Sequence, residues 1–106
     1  IDPNKHPASA GHAADAINAG KPDVLTVDRG GSDSRRAAAT GGHQTEPKKD
    51  NDEYPPAVTA EGGEGASVRS IPSSDNRGAG GSLGQQIKDV PDGGQIKINI
   101  RPKPKE

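Results

Sequence analysis

Apolar positions along this chain come in short, separated runs, and the period changes from run to run. Ala13, Ala14, Ala16, Ile17 and Ala19 sit between His12 and Gly20, with Pro22 just beyond. They predict a helix over about residues 12–19, anchored by Ile17. Val24 to Val27 is a β-branched run bounded by Pro22 and Gly30, hence a strand. Ala37 to Ala39 extend a short helix from Ser34, and the remainder of residues 30–51 reads as loop. Ala57 to Ala60 predicts a second strand, Glu61 to Gly65 a turn, and the alternating Ala66 to Ile71 the return strand of a hairpin. Pro72 stops that strand. Ser73 or Ser74 then caps a helix running through Leu83, Gln86 and Ile87 toward Val90, with Asp75 in its first turn. Four glycines, at 78, 80, 81 and 84, weaken it by about 1 kcal/mol each relative to alanine. Gln95 to Ile100 alternates without a break and is the clearest strand of all. The order is helix, strand, loop, hairpin, helix, strand: a small α+β domain over residues 12–101, with an arm at 1–11 and a tail at 102–106.

Composition pulls two ways. Of the 106 residues 26% are hydrophobic, Tyr54 is the only aromatic, and glycine (15) and proline (10) are abundant. So little apolar surface points to disorder, because burial must offset chain entropy. Yet 14 basic and 15 acidic residues leave a net charge of only −1, whereas disordered chains usually carry a high one. The separate isoleucine- and valine-bearing strands decide for a folded domain with a thin core. There is no cysteine, which excludes disulfides and thiolate metal sites. No apolar run approaches the roughly 20 residues of a membrane span, and no signal peptide is visible. The start at Ile1 reads as a processed product or a fragment of something longer.

The centre of the chain holds linked motifs: Asp52-Glu53-Tyr54-Pro55 with Ala57, then Glu61-Gly62-Gly63, Gly65-Ala66 and Val68-Arg69, then Ser74-Asp75-Asn76-Arg77-Gly78-Ala79-Gly80. They resemble the NucA/NucB family of bacterial deoxyribonucleases. The likeness continues upstream through His12, Asp15-Ala16, Pro22-Asp23, Asp28-Arg29 and Arg35-Arg36, and downstream through Gly84, Gln86 and Pro91-Asp92-Gly93. The resemblance implies a compact ββα-metal core related to the His-Me finger nucleases, cutting DNA. It also implies either a secreted nuclease or the warhead of an antagonism toxin with a cognate immunity protein. A monomer is expected, without membrane attachment.

Phosphodiester hydrolysis needs an activated water, charge neutralisation at the phosphate and help for the leaving oxygen. The resemblance makes Asp52 the candidate general base, where most His-Me enzymes have histidine. An ordinary aspartate, with a pKa of about 3.9, is a weak base unless its surroundings raise that value. Asn76 is the candidate metal ligand, and Gln86 a second one, directly or through water. Magnesium suits such oxygen donors best, with manganese the alternative. Glu53 is expected to bind the ion or orient a neighbour, and Glu61 to fix the hairpin turn. Arg77 would clamp the phosphate, while Arg35, Arg36 and Arg69 would hold the DNA backbone. His6, His12 and His43 are scattered without metal-ligand spacing, and only His43 is an alternative base. With one aromatic, base stacking is a poor account of recognition, and backbone-led, weakly sequence-specific cleavage is expected. The competing readings are a non-catalytic interaction module on the same fold and a charge-balanced disordered segment.

Overall fold

The computed structural model describes residues 1–41 and 44–100. Its elements are α1 (Pro7–Asn18), β1 (Val24–Thr26), a turn of 3-10 helix (Arg29–Gly31), α2 (Ser32–Thr40), β2 (Lys49–Tyr54), β3 (Ser67–Pro72), α3 (Ser73–Ile87) and β4 (Gln95–Lys97). The fold is α+β, as expected. The radius of gyration is 13.0 Å, the ~13 Å of a folded chain this long rather than the far larger value of an unfolded one. The disordered reading is therefore set aside. Among the described residues no helix is long and apolar enough to cross a membrane.

Two antiparallel pairs make the strand layer. β1 pairs with β4, Leu25 opposite Ile96, and β2 pairs with β3, Asp52 opposite Arg69. The hairpin therefore differs from the expected one. Its first strand is the charged stretch Lys49–Tyr54, not Ala57 to Ala60. The latter lies in the long connection between β2 and β3, where Thr59 forms an isolated bridge to Val27 just past β1 and Ala60 N–H donates to Thr26 O at 2.8 Å. Lys-Asp-Asn-Asp-Glu has poor strand propensity and no apolar alternation, so pairing with β3 and burial of Tyr54 determine it. β4 stops at Lys97 because its partner β1 has only three residues. Ile98 still docks, buried, with its N–H on Asp23 O at 2.7 Å.

α1 starts at Pro7, five residues before the expected His12, so residues 7–11 are helix rather than arm. Proline is at home in a first helical turn, and the cap comes from elsewhere in the chain. The carboxylate of Asp75, in the first turn of α3, accepts the N–H groups of Ala8 and Ser9, both at 2.9 Å. An anion at a helix N-terminus satisfies donors that have no partner within the helix. α3 ends at Ile87, short of Val90. A Cβ at Gly78 of α3 would stand 2.6 Å from the His6 ring just before α1, so a larger residue there would have to push that ring aside.

The core gathers Ala13 and Ala16 of α1 with Leu25, Tyr54 and Ile98, flanked by Ile17, Leu83 and Ile96. Tyr54 is buried and donates its hydroxyl to Pro22 O at 2.8 Å. Burial pushes its pKa up to about 12. Leu25 is fully buried in a core otherwise rich in alanine. Leu25→Ala should cost about 3 kcal/mol, a large share of the stability of a small domain. A urea titration would read this as a lower midpoint at unchanged slope.

Candidate functional site

β2, β3 and α3 follow one another as a β-β-α unit, and α1 packs across its open side. Strand alternation sends Asp50, Asp52 and Tyr54 of β2 to the face covered by the two helices. Asp52 Oδ2 lies 2.7 Å from His12 Nδ1, and His12 Nε2 lies 2.9 Å from Ser67 Oγ on the neighbouring strand. His12 is fully buried, while Asp52 keeps partial exposure. Asp52 and Asn76 line one cavity of about 90 Å³, together with Ala13, Tyr54, Leu83 and Ile98.

Asp50, two residues before Asp52, is the hub between β2 and α3. It accepts Ser73 Oγ at 3.0 Å, Asn76 Nδ2 at 3.2 Å, and Arg77 through both Nε (3.0 Å) and Nη2 (3.3 Å). The Arg77 guanidinium is the main cause of a carboxyl held below the usual range, with the Asn76 amide next. The folded-state pKa lies below the unfolded one, so this stabilisation is present above about pH 3.8 and fades as pH falls through the folded value. Asp50→Asn should therefore lower the melting temperature at neutral pH and flatten its fall below pH 3.8. Paired melts from pH 3 to 7 test this, and parallel curves for the two proteins would contradict it.

The structure brings together Asp52, Asn76 and Arg77, and adds His12 and Asp50. Glu53 borders the same cavity. Burial pushes its carboxyl pKa up, against the pull of Arg36 on α2 and with a push from Asp52. Gln86 stands apart from Asn76: ten residues of helix rise about 15 Å, and its amide donates to Ser82 O and Oγ. A metal ion shared by Asn76 and Gln86 does not fit that separation.

Arg35 points inward, donating to Ala57 O at 2.7 Å and to Asp28 Oδ2 at 2.9 Å, with a further bond to Asp28 O. It ties the 3-10 turn to the β2–β3 connection instead of facing solvent. Arg69 pairs with Asp15 of α1 at 2.8 Å and stays partly exposed. Arg36 and Arg77 are the most open of the four, their side chains 59% and 76% exposed. Glu61 accepts the Thr26 N–H at 2.7 Å and the Thr26 hydroxyl at 3.0 Å, so it fixes the connection against β1. His43 lies outside the described residues, as does the tail at 101–106.

Sequence reasoning missed His12 and Asp50. A lone histidine in an alanine-rich helix offers no ligand spacing. Its signal was positional: Ser9, His12, Ala13 and Ala16 form the buried stripe of α1 at helical spacing. Asp50 becomes visible only once residues 49–54 are known to be a strand, because alternation then puts it beside Asp52.

A family model for deoxyribonuclease NucA/NucB matches residues 13–99 of the chain. The chain is also 42% identical over 98 residues to the DNA-entry nuclease of Bacillus subtilis (strain 168), an alignment that covers 92% of this chain and 67% of that protein.

Proposed function

Because the chain belongs to the NucA/NucB family and is a DNA-hydrolysing enzyme, we propose that it cuts within DNA strands, with one divalent metal ion and Asp52 as general base. The observation that carries this is the shared cavity of Asp52 and Asn76, with each side chain held by a partner, His12 and Asp50.

The donor chemistry fits a hard cation. The Asp50 carboxylate only accepts, so the Asn76 nitrogen faces it and the amide oxygen is turned away, available to an ion. Among the described residues no three His, Cys, Asp or Glu side chains stand together as a metal cage. A single amide oxygen in such surroundings suits magnesium, which keeps several of its waters, with manganese as the alternative. An ion held by the Asn76 amide oxygen would supply charge neutralisation at the scissile phosphate and help for the leaving oxygen.

The chain's own residues do the remainder. Asp52 takes a proton from the attacking water, whose oxygen forms the new bond to phosphorus. The bond from phosphorus to the leaving sugar oxygen breaks, and that oxygen takes its proton from solvent. Arg77 keeps N–H groups beyond the two that Asp50 accepts, and it is open to a phosphate oxygen. Arg36 is the second contact to the backbone. Tyr54, the only Phe, Tyr or Trp, is buried and bonded to Pro22, so the described residues offer no exposed Phe, Tyr or Trp ring on which bases could stack. That supports cleavage led by the phosphate backbone with weak sequence preference.

The relative's name, DNA-entry nuclease, favours a nuclease acting on DNA outside the cell over a toxin warhead with its immunity protein. Closed circular plasmid tests the endonucleolytic reading, because it offers no ends. Open circles followed by linear DNA are the expected products. Retarded but uncut plasmid, from protein shown to be folded, would instead establish an interaction module.

A further inference from the structure

Among the described residues, His12 is a fully buried ionisable side chain beside the site that the proposed reaction does not use. Its ring sits on the alanine face of α1, where an apolar residue would pack at no polar cost, and burying an imidazole is unfavourable unless both nitrogens are bonded. Both are. A carboxylate has no proton to give, so Nδ1 carries the hydrogen that Asp52 Oδ2 accepts at 2.7 Å. Nε2 meets Ser67 Oγ at 2.9 Å, a hydroxyl that both donates and accepts. The ring therefore spans from one strand of the hairpin to the other. α1, which carries it, is held in place by the Asp75 carboxylate at its N-terminus and by the Asp15–Arg69 pair farther along.

We propose that His12 is a positioning residue for cleavage, acting through Asp52. This deepens the reading of Asp52 as base and rests on it. The terminal torsion of an aspartate is broad and poorly fixed by its rotamer alone. Holding Oδ2 at 2.7 Å sets that torsion and so sets where Oδ1 stands. A general base must place its oxygen within hydrogen-bond reach of the water it deprotonates, and a misplacement of about 1 Å costs on the order of 100-fold in rate. Ser67 extends the arrangement by fixing the far side of the ring.

The test is a double-mutant cycle on magnesium-dependent plasmid cleavage, measured at several DNA concentrations. His12→Leu keeps the volume and removes the donor, and it should lower kcat about 100-fold with KM within about threefold. His12→Asn, whose amide nitrogen can take the place of Nδ1, should recover to within about tenfold of wild type. His12→Gln, whose amide reaches toward Ser67 instead, should not. In the Asp52→Ala background His12→Leu should cost nothing further, because a residue acting through Asp52 has nothing left to position. A full multiplicative loss in that background would overturn the inference and make His12 purely structural. Equal activity of the Asn and Gln variants would overturn it too, and that comparison stands even if the Leu variant fails to fold. Wild-type activity in Asp52→Ala alone would remove the base reading itself, and this inference with it.

Discussion

Asp52→Ala should lower plasmid cleavage at least about 10³-fold, within the usual range for loss of a positioned general base. The same change strips His12 Nδ1–H of its acceptor in a fully buried place, which costs about 1–3 kcal/mol of stability. The cleaner probe is Asp52→Asn. Its amide oxygen still accepts from His12, so the fold is spared, but it cannot take a proton from water. Both variants should still bind DNA, because Arg36 and Arg77 are untouched. A folded Asp52→Asn protein that cuts at more than about a tenth of the wild-type rate would show that Asp52 has another role.

Asn76→Ala should lower cleavage at a fixed magnesium concentration at least about 100-fold, the scale on which even indirect partners of a metal site act. The diagnostic is recovery. If the amide oxygen holds the ion, raising magnesium or manganese restores part of the rate, because affinity rather than chemistry was lost. If Asn76 only links α3 to Asp50, added metal changes nothing and the variant melts lower in step with its lost activity. The stability cost of removing its bond to Asp50 is about 1 kcal/mol, too small to unfold the domain and mimic a catalytic loss.

The parts of this architecture legible in the sequence are those whose local signals agree with the tertiary outcome. α3 is marked by Pro72 and the Ser73 to Asp75 run, although neither serine caps it: Pro72 is the N-cap and Ser73 Oγ donates to Asp50 instead. β3 is marked by the alternation that ends at Ile71. Asp52, Asn76 and Arg77 are carried by linked motifs, and the structure brings them to one place. β2 was hidden because its residues are charged: it is a strand only by virtue of the partner it pairs with, and no window of sequence contains both. Ala57 to Ala60 fails in the opposite sense. It has strand-like residues, but in the β2–β3 connection it forms only an isolated bridge, Thr59 to Val27. The early start of α1 was hidden for the same reason as β2, since its cap, Asp75, lies 67 residues from Ala8. The resemblance offers Gln86 as a second ligand beside Asn76, but ten residues of helix rise about 15 Å and separate them.

The most direct test of a metal-dependent endonuclease using Asp52 is one plasmid experiment. Wild type and Asp52→Asn are incubated with supercoiled DNA in magnesium and in EDTA, with circular dichroism confirming that both are folded. Open-circular and linear products are expected only from wild type in magnesium, restored when excess magnesium follows EDTA. Cleavage that persists in EDTA would contradict the metal requirement, and equal cleavage by the two proteins in magnesium would contradict the assignment of the base.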